Sequence, residues 1–162
     1  VNVSPGDGYV LRVEDFHLSP GIAEALALCR RRGYRLILVT SQQGVGKRLM
    51  TQADLDAIHA SMQDALRAHG ADFDGIYACT HLRGTCSCRK PSPEMIFSAQ
   101  QAHGIDLSRS WLVGDHDRDI QMAKNAGVPH TIRILSHHEP QVIADHTLDR
   151  TDALAELLER VL

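Results

Sequence analysis

Three groups of residues carry the chemistry of this chain. Cys79, His81, Cys86 and Cys88 fall within ten positions and run straight into Arg89 and Lys90. Three thiolates and one imidazole make a closed, four-coordinate zinc set, the pattern of a structural site rather than of a catalytic site with an open position. The short Cys-x-His and Cys-x-Cys spacings let one loop, residues 79–88, fold back and present all four donors. A disulfide is the weaker rival, because three cysteines leave one unpaired and nothing in the sequence points to an oxidising compartment. A loop that merely happens to be rich in Cys and His is the other reading. The concentration here of three of the chain's four cysteines argues against it.

The second group is Thr40-Ser41-Gln42, where an apolar run ends in a hydroxyl and a turn whose backbone N–H groups suit an oxyanion or phosphate. Asp115 and Asp119 form the third, hard oxygen ligands for a hydrated magnesium ion. Lys90 can neutralise phosphate as a mobile point charge, and Arg89 can grip a second anionic group with two parallel hydrogen bonds. Hydroxyl, lysine and acidic pair together describe phosphoryl-transfer chemistry. Each has a plainer reading when taken alone. Thr40 would be an ordinary strand-end threonine and Lys90 a solvated charge. Asp117 and Asp119 would cap a helix and complement its dipole, the preferred reading for Asp117. Asp115 is harder to dismiss, because it directly follows the apolar Trp111-Leu112-Val113-Gly114.

Elements that alternate strand with helix must position these groups. Residues 1–18 read as loop and turn, broken by Pro5, Gly6 and Gly8. Ser19-Pro20 reads as an N-cap followed by Pro at the first helical position, opening a helix to about Arg32 that Gly33 stops. Cys29 lies on its apolar face as a buried thiol, not as a fifth ligand. Tyr34–Thr40 is a short β-rich run, the mark of a buried parallel strand. Ser41–Met50 is predicted to be loop, and Thr51 opens a helix ending near Gly70. A strand over Phe73–Ala78 delivers the zinc loop. Ser92-Pro93-Glu94 starts a helix that ends at Gly104, and Ser110–Gly114 is the next strand. A helix through Ala126, strands at His130–Leu135 and His146–Leu148, and a helix from Thr151 complete the pattern. The expected fold is α/β, a Rossmann-like, mainly parallel sheet between helical layers. All three polar groups follow strands, and ligands of such sheets bind outside the carboxyl ends of the strands, so the groups should converge.

Composition sets bounds on the rest. The 162 residues suit one domain, 1–162, with an ordinary 43% hydrophobic and 23% charged share. A net charge of −3 gives no electrostatic footprint for nucleic acid or for an acidic membrane. No apolar run approaches the roughly 20 residues that span a bilayer, and the first residues lack the pattern of a signal peptide. The expectation is a cytoplasmic monomer acting on a small phosphorylated metabolite, without nucleic-acid or membrane partners. His137 and His138 are read as solvated loop residues.

Leu38-Val39-Thr40-Ser41-Gln42, then Cys-x-His…Cys-x-Cys-Arg-Lys-Pro ending at Pro91, then Val113-Gly114-Asp115-x-x-x-Asp119, resembles the haloacid dehalogenase (HAD) superfamily. More narrowly, it resembles the branch that holds D-glycero-D-manno-heptose 1,7-bisphosphate phosphatase and histidinol-phosphate phosphatase. The resemblance implies a compact fold with no large cap domain and a zinc loop beside the active site. It implies that Thr40 and Lys90 are catalytic, holding the phosphoryl group and balancing charge, and that Asp115 ligates magnesium, with Asp119 as its companion. Gly8, Tyr9, Ser41, Gln42, Arg89 and His116 would meet the substrate. The reaction implied runs through an aspartyl-phosphate, which water hydrolyses. The short stretch between His81 and Cys86 is closer to the histidinol-phosphate enzymes, whereas Gly44–Arg48 resembles the glycine- and arginine-containing loop of the heptose enzymes, and the expectation leans towards a heptose bisphosphate or similar sugar phosphate.

The sequence departs from the family at its start. The family's nucleophile and acid/base are the aspartates of Asp-x-Asp-Gly, followed after two residues by Asn, at the end of a central first strand. Val1-Asn2 matches the tail of that motif and Gly8-Tyr9 the residues beyond it, so the two aspartates are expected before Val1. Asp7 and Asp15 are poor substitutes, since neither follows an apolar strand. The expectation is an N-terminally truncated copy, with the edges of both strands that flank the missing one exposed. Ser41 stands where these phosphatases commonly have Asn, and His116 where the heptose enzymes have Lys. The other classes to weigh are a catalytically inactive zinc module and a phosphotransferase of the same fold.

Overall fold

The computed structural model describes residues 1–3 and 8–162; Pro5, Gly6 and Asp7 lie outside the described residues. β1 (Ile37–Ser41) and β2 (Gly75–Cys79) pair in parallel, with Thr40 opposite Ala78 and Ser41 opposite Cys79. β3 (Trp111–Gly114), β4 (His130–Ile134) and β5 (His146–Leu148) form a second parallel set, in that order, with Gly114 opposite Arg133. Each parallel step needs a crossover, and helices supply most of them.

Helices cover both faces. α1 (Ile22–Arg31) and α6 (Leu154–Val161) pack through Ile22, Ala25, Leu28, Leu154, Leu157 and Leu158 onto Ile132 of β4. The other side of α1 meets α3 (Gln52–Arg67) through Ala23, Ala27, Met62 and Leu66. On the opposite face α4 (Glu94–His103) and α5 (Asp117–Ala126) bury Ile96, Met122, Ala123 and Ala126 against Val39 and Leu112. Thr131 and Arg133, one position either side of Ile132, therefore face α5, as the two-residue period of a strand requires.

Local chemistry explains most boundaries. Thr51 accepts from the Asp54 amide while the Asp54 side chain accepts from the Thr51 amide, a capping box that starts α3. Gly104 closes α4 and Gly127 closes α5, both in the left-handed conformation that only glycine adopts freely. Two expected caps are corrected. α1 starts after Gly21, at φ 77°, with no side-chain cap bond, so Ser19 and Pro20 belong to the preceding turn. α4 follows Pro93 and not Ser92. Ser41–Met50 is not all loop, because Gln43–Gly46 forms a short helix, α2. The expected Tyr34 start of β1 moves to Ile37.

Among the described residues, no strand lies between β1 and β3. Residues 1–3 and 8–18 make an isolated Asn2–Leu18 bridge and a 3-10 turn at Val13–Asp15. A cavity of 990 Å3 instead separates the two sets, lined by Ile37, Val39 and Thr40 on one side and Trp111, Val113 and Asp115 on the other. Interior parallel strands are normally buried on both faces. Here every residue of β1 is half-buried and Val113 is 41% exposed. Trp111 also stacks on His130 with ring centroids 4.5 Å apart, and His146 continues the stack.

Candidate active site and zinc loop

The zinc loop begins at the last residue of β2. Cys79 is 1% exposed, and its backbone carbonyl accepts from Gln42 N at 2.7 Å, which ties the loop to the end of β1. Cys79 Sγ lies 3.5 Å from Cys86 Sγ and 3.8 Å from His81 Nδ1. Cys88 Sγ lies 3.4 Å from Cys86 Sγ and 3.5 Å from His81 Nδ1. All four donor atoms fall within 4.8 Å of one another. A tetrahedral site with metal–sulfur bonds of about 2.3 Å has edges of roughly 3.8 Å, so the donor set fits a zinc ion in size and type. Partial burial and the neighbouring Cys79 and Cys86 sulfurs push the Cys88 thiol up to about 12, the response of crowded thiols that a dication would reverse.

α2 rests on this loop. A Cβ at Gly46 would come within 2.5 Å of the Thr80 carbonyl oxygen and 3.1 Å of Leu82 N, so only glycine allows the approach. From the other side, Arg89 Nη2 reaches Gln43 Oε1 at 3.5 Å, at the long end of a hydrogen bond, and Arg89 Nη1 is buried without a partner. The Lys90–Pro91 peptide is cis.

Lys90 crosses the gap. Its Nζ donates to Val39 O at 3.4 Å and pairs with Asp119 Oδ1 at 2.5 Å, with the two side chains 12% and 7% exposed. The contact with Oδ1 is a short ion pair between two nearly buried charges. Asp119 Oδ2 accepts from His116 N at 3.1 Å. Burial raises the Asp119 carboxyl, but Lys90 outweighs it and holds the group below its ordinary range. Gly114 leaves room for this carboxylate, because a Cβ there would fall 2.3 Å from Asp119 Cβ.

Thr40, Ser41, Gln42, Lys90, Asp115 and Asp119 all line the cavity at the carboxyl ends of β1 and β3, as do Gly8 and Tyr9. Thr40 Oγ1 accepts from Gln42 Nε2 at 3.0 Å, and Ser41 Oγ is buried without a partner. Tyr9 carries Lys47 Nζ 5.3 Å from its ring centre. Asp115 is exposed. Magnesium takes one or two carboxylates and keeps several waters, so the open Asp115 fits that ion, whereas Asp119 is already engaged by Lys90. Arg89 and His116 do not line the cavity. His116 caps α5 and its ring meets His138 edge-on, centroids 5.0 Å apart. Burial, then Arg118, lower its pKa below the ordinary histidine value.

One reading of the sequence is corrected here. Asp117 does not cap α5: its Oδ1 accepts from Arg133 Nη1 and from the backbone of Gln141 and Val142. Those bonds, with burial opposing them, hold its carboxyl at about 2. His137 and His138 are exposed loop residues, as expected, with ring centroids 4.0 Å apart, and His138 meets His116. Asp15 pairs with Arg12 on the surface, in the 3-10 turn Val13–Asp15. Among the described residues, no helix is long and apolar enough to cross a membrane.

Known proteins resemble this chain in sequence and in fold. The family model of HAD-hydrolase-like proteins (Hydrolase_like) matches residues 87–155. A D-glycero-beta-D-manno-heptose-1,7-bisphosphate 7-phosphatase of Helicobacter pylori (strain ATCC 700392 / 26695) is 35% identical over 132 residues, 80% of this chain and 76% of that protein. The chain belongs to the HAD-like hydrolases, in the branch of the heptose-bisphosphate phosphatases. The protein of the same description in Escherichia coli (strain K12) is 34% identical over 129 residues, 75% of this chain and 68% of its own length. Among solved HAD structures, D,D-heptose 1,7-bisphosphate phosphatase from B. bronchiseptica, complexed with magnesium and phosphate, superposes with a TM-score of 0.87. It is 28% identical, over 100% of this chain and 94% of that one. The resemblance and the Rossmann-like fold expected from the motifs are borne out.

Proposed function

We propose that this protein is a magnesium-dependent phosphatase that hydrolyses a phosphoryl ester of D-glycero-β-D-manno-heptose 1,7-bisphosphate. The observation that carries the reading is the meeting of Thr40, Lys90 and Asp115 at the mouth of one cavity, beside a loop folded for zinc. The likeness to heptose-bisphosphate phosphatases supports the substrate. In this reading Thr40 Oγ1 and the adjoining turn bind the phosphoryl oxygens. Lys90, held by Val39 O and Asp119, places a fixed positive charge beside them, and such pre-aimed charge is where most rate enhancement arises. Asp115 holds magnesium, which when bound neutralises charge on the phosphoryl group. The zinc ligands supply no chemistry and fix the loop that aims Lys90, while Gly8, Tyr9, Ser41 and Gln42 line the cavity where the substrate would sit.

The nucleophilic carboxylate belongs, in this proposal, to a strand in the gap between β1 and β3. That strand would pair with both free edges and cover the half-exposed side chains of Ile37, Val39 and Val113. We infer a cytoplasmic monomer acting on a small sugar phosphate. The test is phosphate release by the full natural chain from heptose 1,7-bisphosphate, with magnesium and with a chelator, against histidinol phosphate as comparison. Magnesium-dependent release favouring the heptose ester is the expected result. Release favouring histidinol phosphate overturns the substrate, and no release from either ester overturns the enzyme.

A further inference from the structure

Of the polar side chains that open α5, all but one are engaged. The His116 ring accepts from the Arg118 amide, and Asp117 Oδ1 accepts from Arg133 Nη1. Asp119 is divided between Lys90 and the His116 amide. Arg118 is the remainder. It is exposed and lines the cavity with Asp115 and Asp119. Among the described residues its guanidinium makes no hydrogen bond and no ion pair. The sequence explains why, since the positions three and four further along the helix, where an acidic partner would stand, are Gln121 and Met122. The other lysine and arginines that line the cavity are paired: Lys90 with Asp119, Arg35 with Asp74 at 3.8 Å, and Arg150 with Asp152. Arg89, which the family resemblance places on the substrate, reaches Gln43 instead.

We propose that Arg118 is a specificity-determining residue, whose guanidinium binds the phosphate of the bisphosphate substrate that does not react. The proposal rests on the phosphatase reading above and names the group that tells a bisphosphate from a monophosphate. In that reading Thr40, the adjoining turn and Lys90 serve the reacting phosphoryl group. A second phosphate brings a further charge of roughly −1.5 to −2 near pH 7. Beside Asp115 and Asp119 such a charge needs a cation of its own. A guanidinium offers parallel N–H donors that match two phosphate oxygens. The first turn of a ten-residue helix adds the positive end of its dipole. Because the fold uses no bond of this guanidinium, its replacement should leave the melting temperature unchanged.

The experiment compares Arg118→Ala and Arg118→Lys with wild type in the full natural chain. It reads the melting temperature, and kcat and KM with magnesium for heptose 1,7-bisphosphate and for the better hydrolysed of the two heptose monophosphates. R118A should raise KM at least tenfold more for the bisphosphate than for the monophosphate, with kcat less affected than KM and R118K in between. An equal change for both substrates, with or without a lowered melting temperature, overturns the proposal, and so does no change. If wild type releases phosphate from none of these esters, the phosphatase reading fails, and calorimetric binding of the bisphosphate decides the role of Arg118. Binding at least tenfold weaker in R118A supports that role. Equal affinity, or no binding by wild type, overturns it.

Discussion

The two strand sets hold their functional residues by different physics. In the β1–β2 set, Arg89 and Lys90 are aimed by a knot of soft ligands and by backbone touching backbone, as where Gly46 lies on Thr80. In the β3–β5 set, Asp115 is aimed by ion pairs and hydrogen bonds: Asp119 on the His116 amide, Asp117 on Arg133, and Ser136 on the Asp115 carbonyl. Bonds from Lys90 to Asp119 and from Asn125 Nδ2 to Pro91 O join the two. The contrast follows from the sequence around each site. The zinc loop has no regular secondary structure to order it and needs a cross-link, whereas Asp115 leads directly into a helix whose first turn offers donors.

The largest effect should come from cutting the junction. Lys90→Ala leaves Asp119 buried without its cation, which should cost about 3–5 kcal/mol in a denaturant titration and remove most phosphatase activity. A loss under 1 kcal/mol would mean that the two sets do not depend on this pair. Next, Cys86→Ser should lower zinc affinity at least tenfold and speed amide exchange in residues 40–48 and 79–90, leaving β3–β5 protected. Equal loosening of both sets would erase the contrast drawn here. Gly46→Ala forces a Cβ against Thr80 O and should destabilise by about 1–3 kcal/mol, read as a lower melting temperature with full zinc occupancy.

The smallest effect is a pH dependence that both sets should share. Burial raises Asp74, but the Leu36 amide and Arg30 outweigh it, so its pKa lies below the ordinary value. The Thr131 hydroxyl and amide lower Asp145. A depressed folded pKa stabilises above the unfolded value of about 3.9, and that contribution is lost as pH falls through the folded one. Acid titration of Asp74→Asn and Asp145→Asn should each show a shallower loss of stability below about pH 4 than the parent. Identical slopes would remove both carboxylates from the account.

Much of this arrangement was legible because strand and helix signals are local. The β-rich runs ending at Thr40 and Gly114, the Thr51 capping box and the spacing of Cys79, His81, Cys86 and Cys88 each need only a few neighbouring residues. The misses are long-range. α2 contains Gly44 and Gly46, which read as breakers, and the close approach to Thr80 that explains Gly46 lies more than thirty positions away. Asp117 has the look of a cap because its partner Arg133 is hidden in an apolar strand. A lone Arg among Thr131, Ile132 and Ile134 was the available signal. Ser19 lost its expected cap to Gly21, whose left-handed turn against Asp152 leaves no room for a side chain.

The stack of Trp111 on His130 gives the molecule an optical asymmetry. Trp111 is the chain's single tryptophan and belongs to β3, whereas the three tyrosines, Tyr9, Tyr34 and Tyr77, all belong to the β1–β2 side. Indole emission therefore reports on one strand set and phenol emission on the other. A single unlabelled sample, followed at two wavelengths as zinc is chelated or denaturant added, would show directly whether the two sets come apart together or in turn.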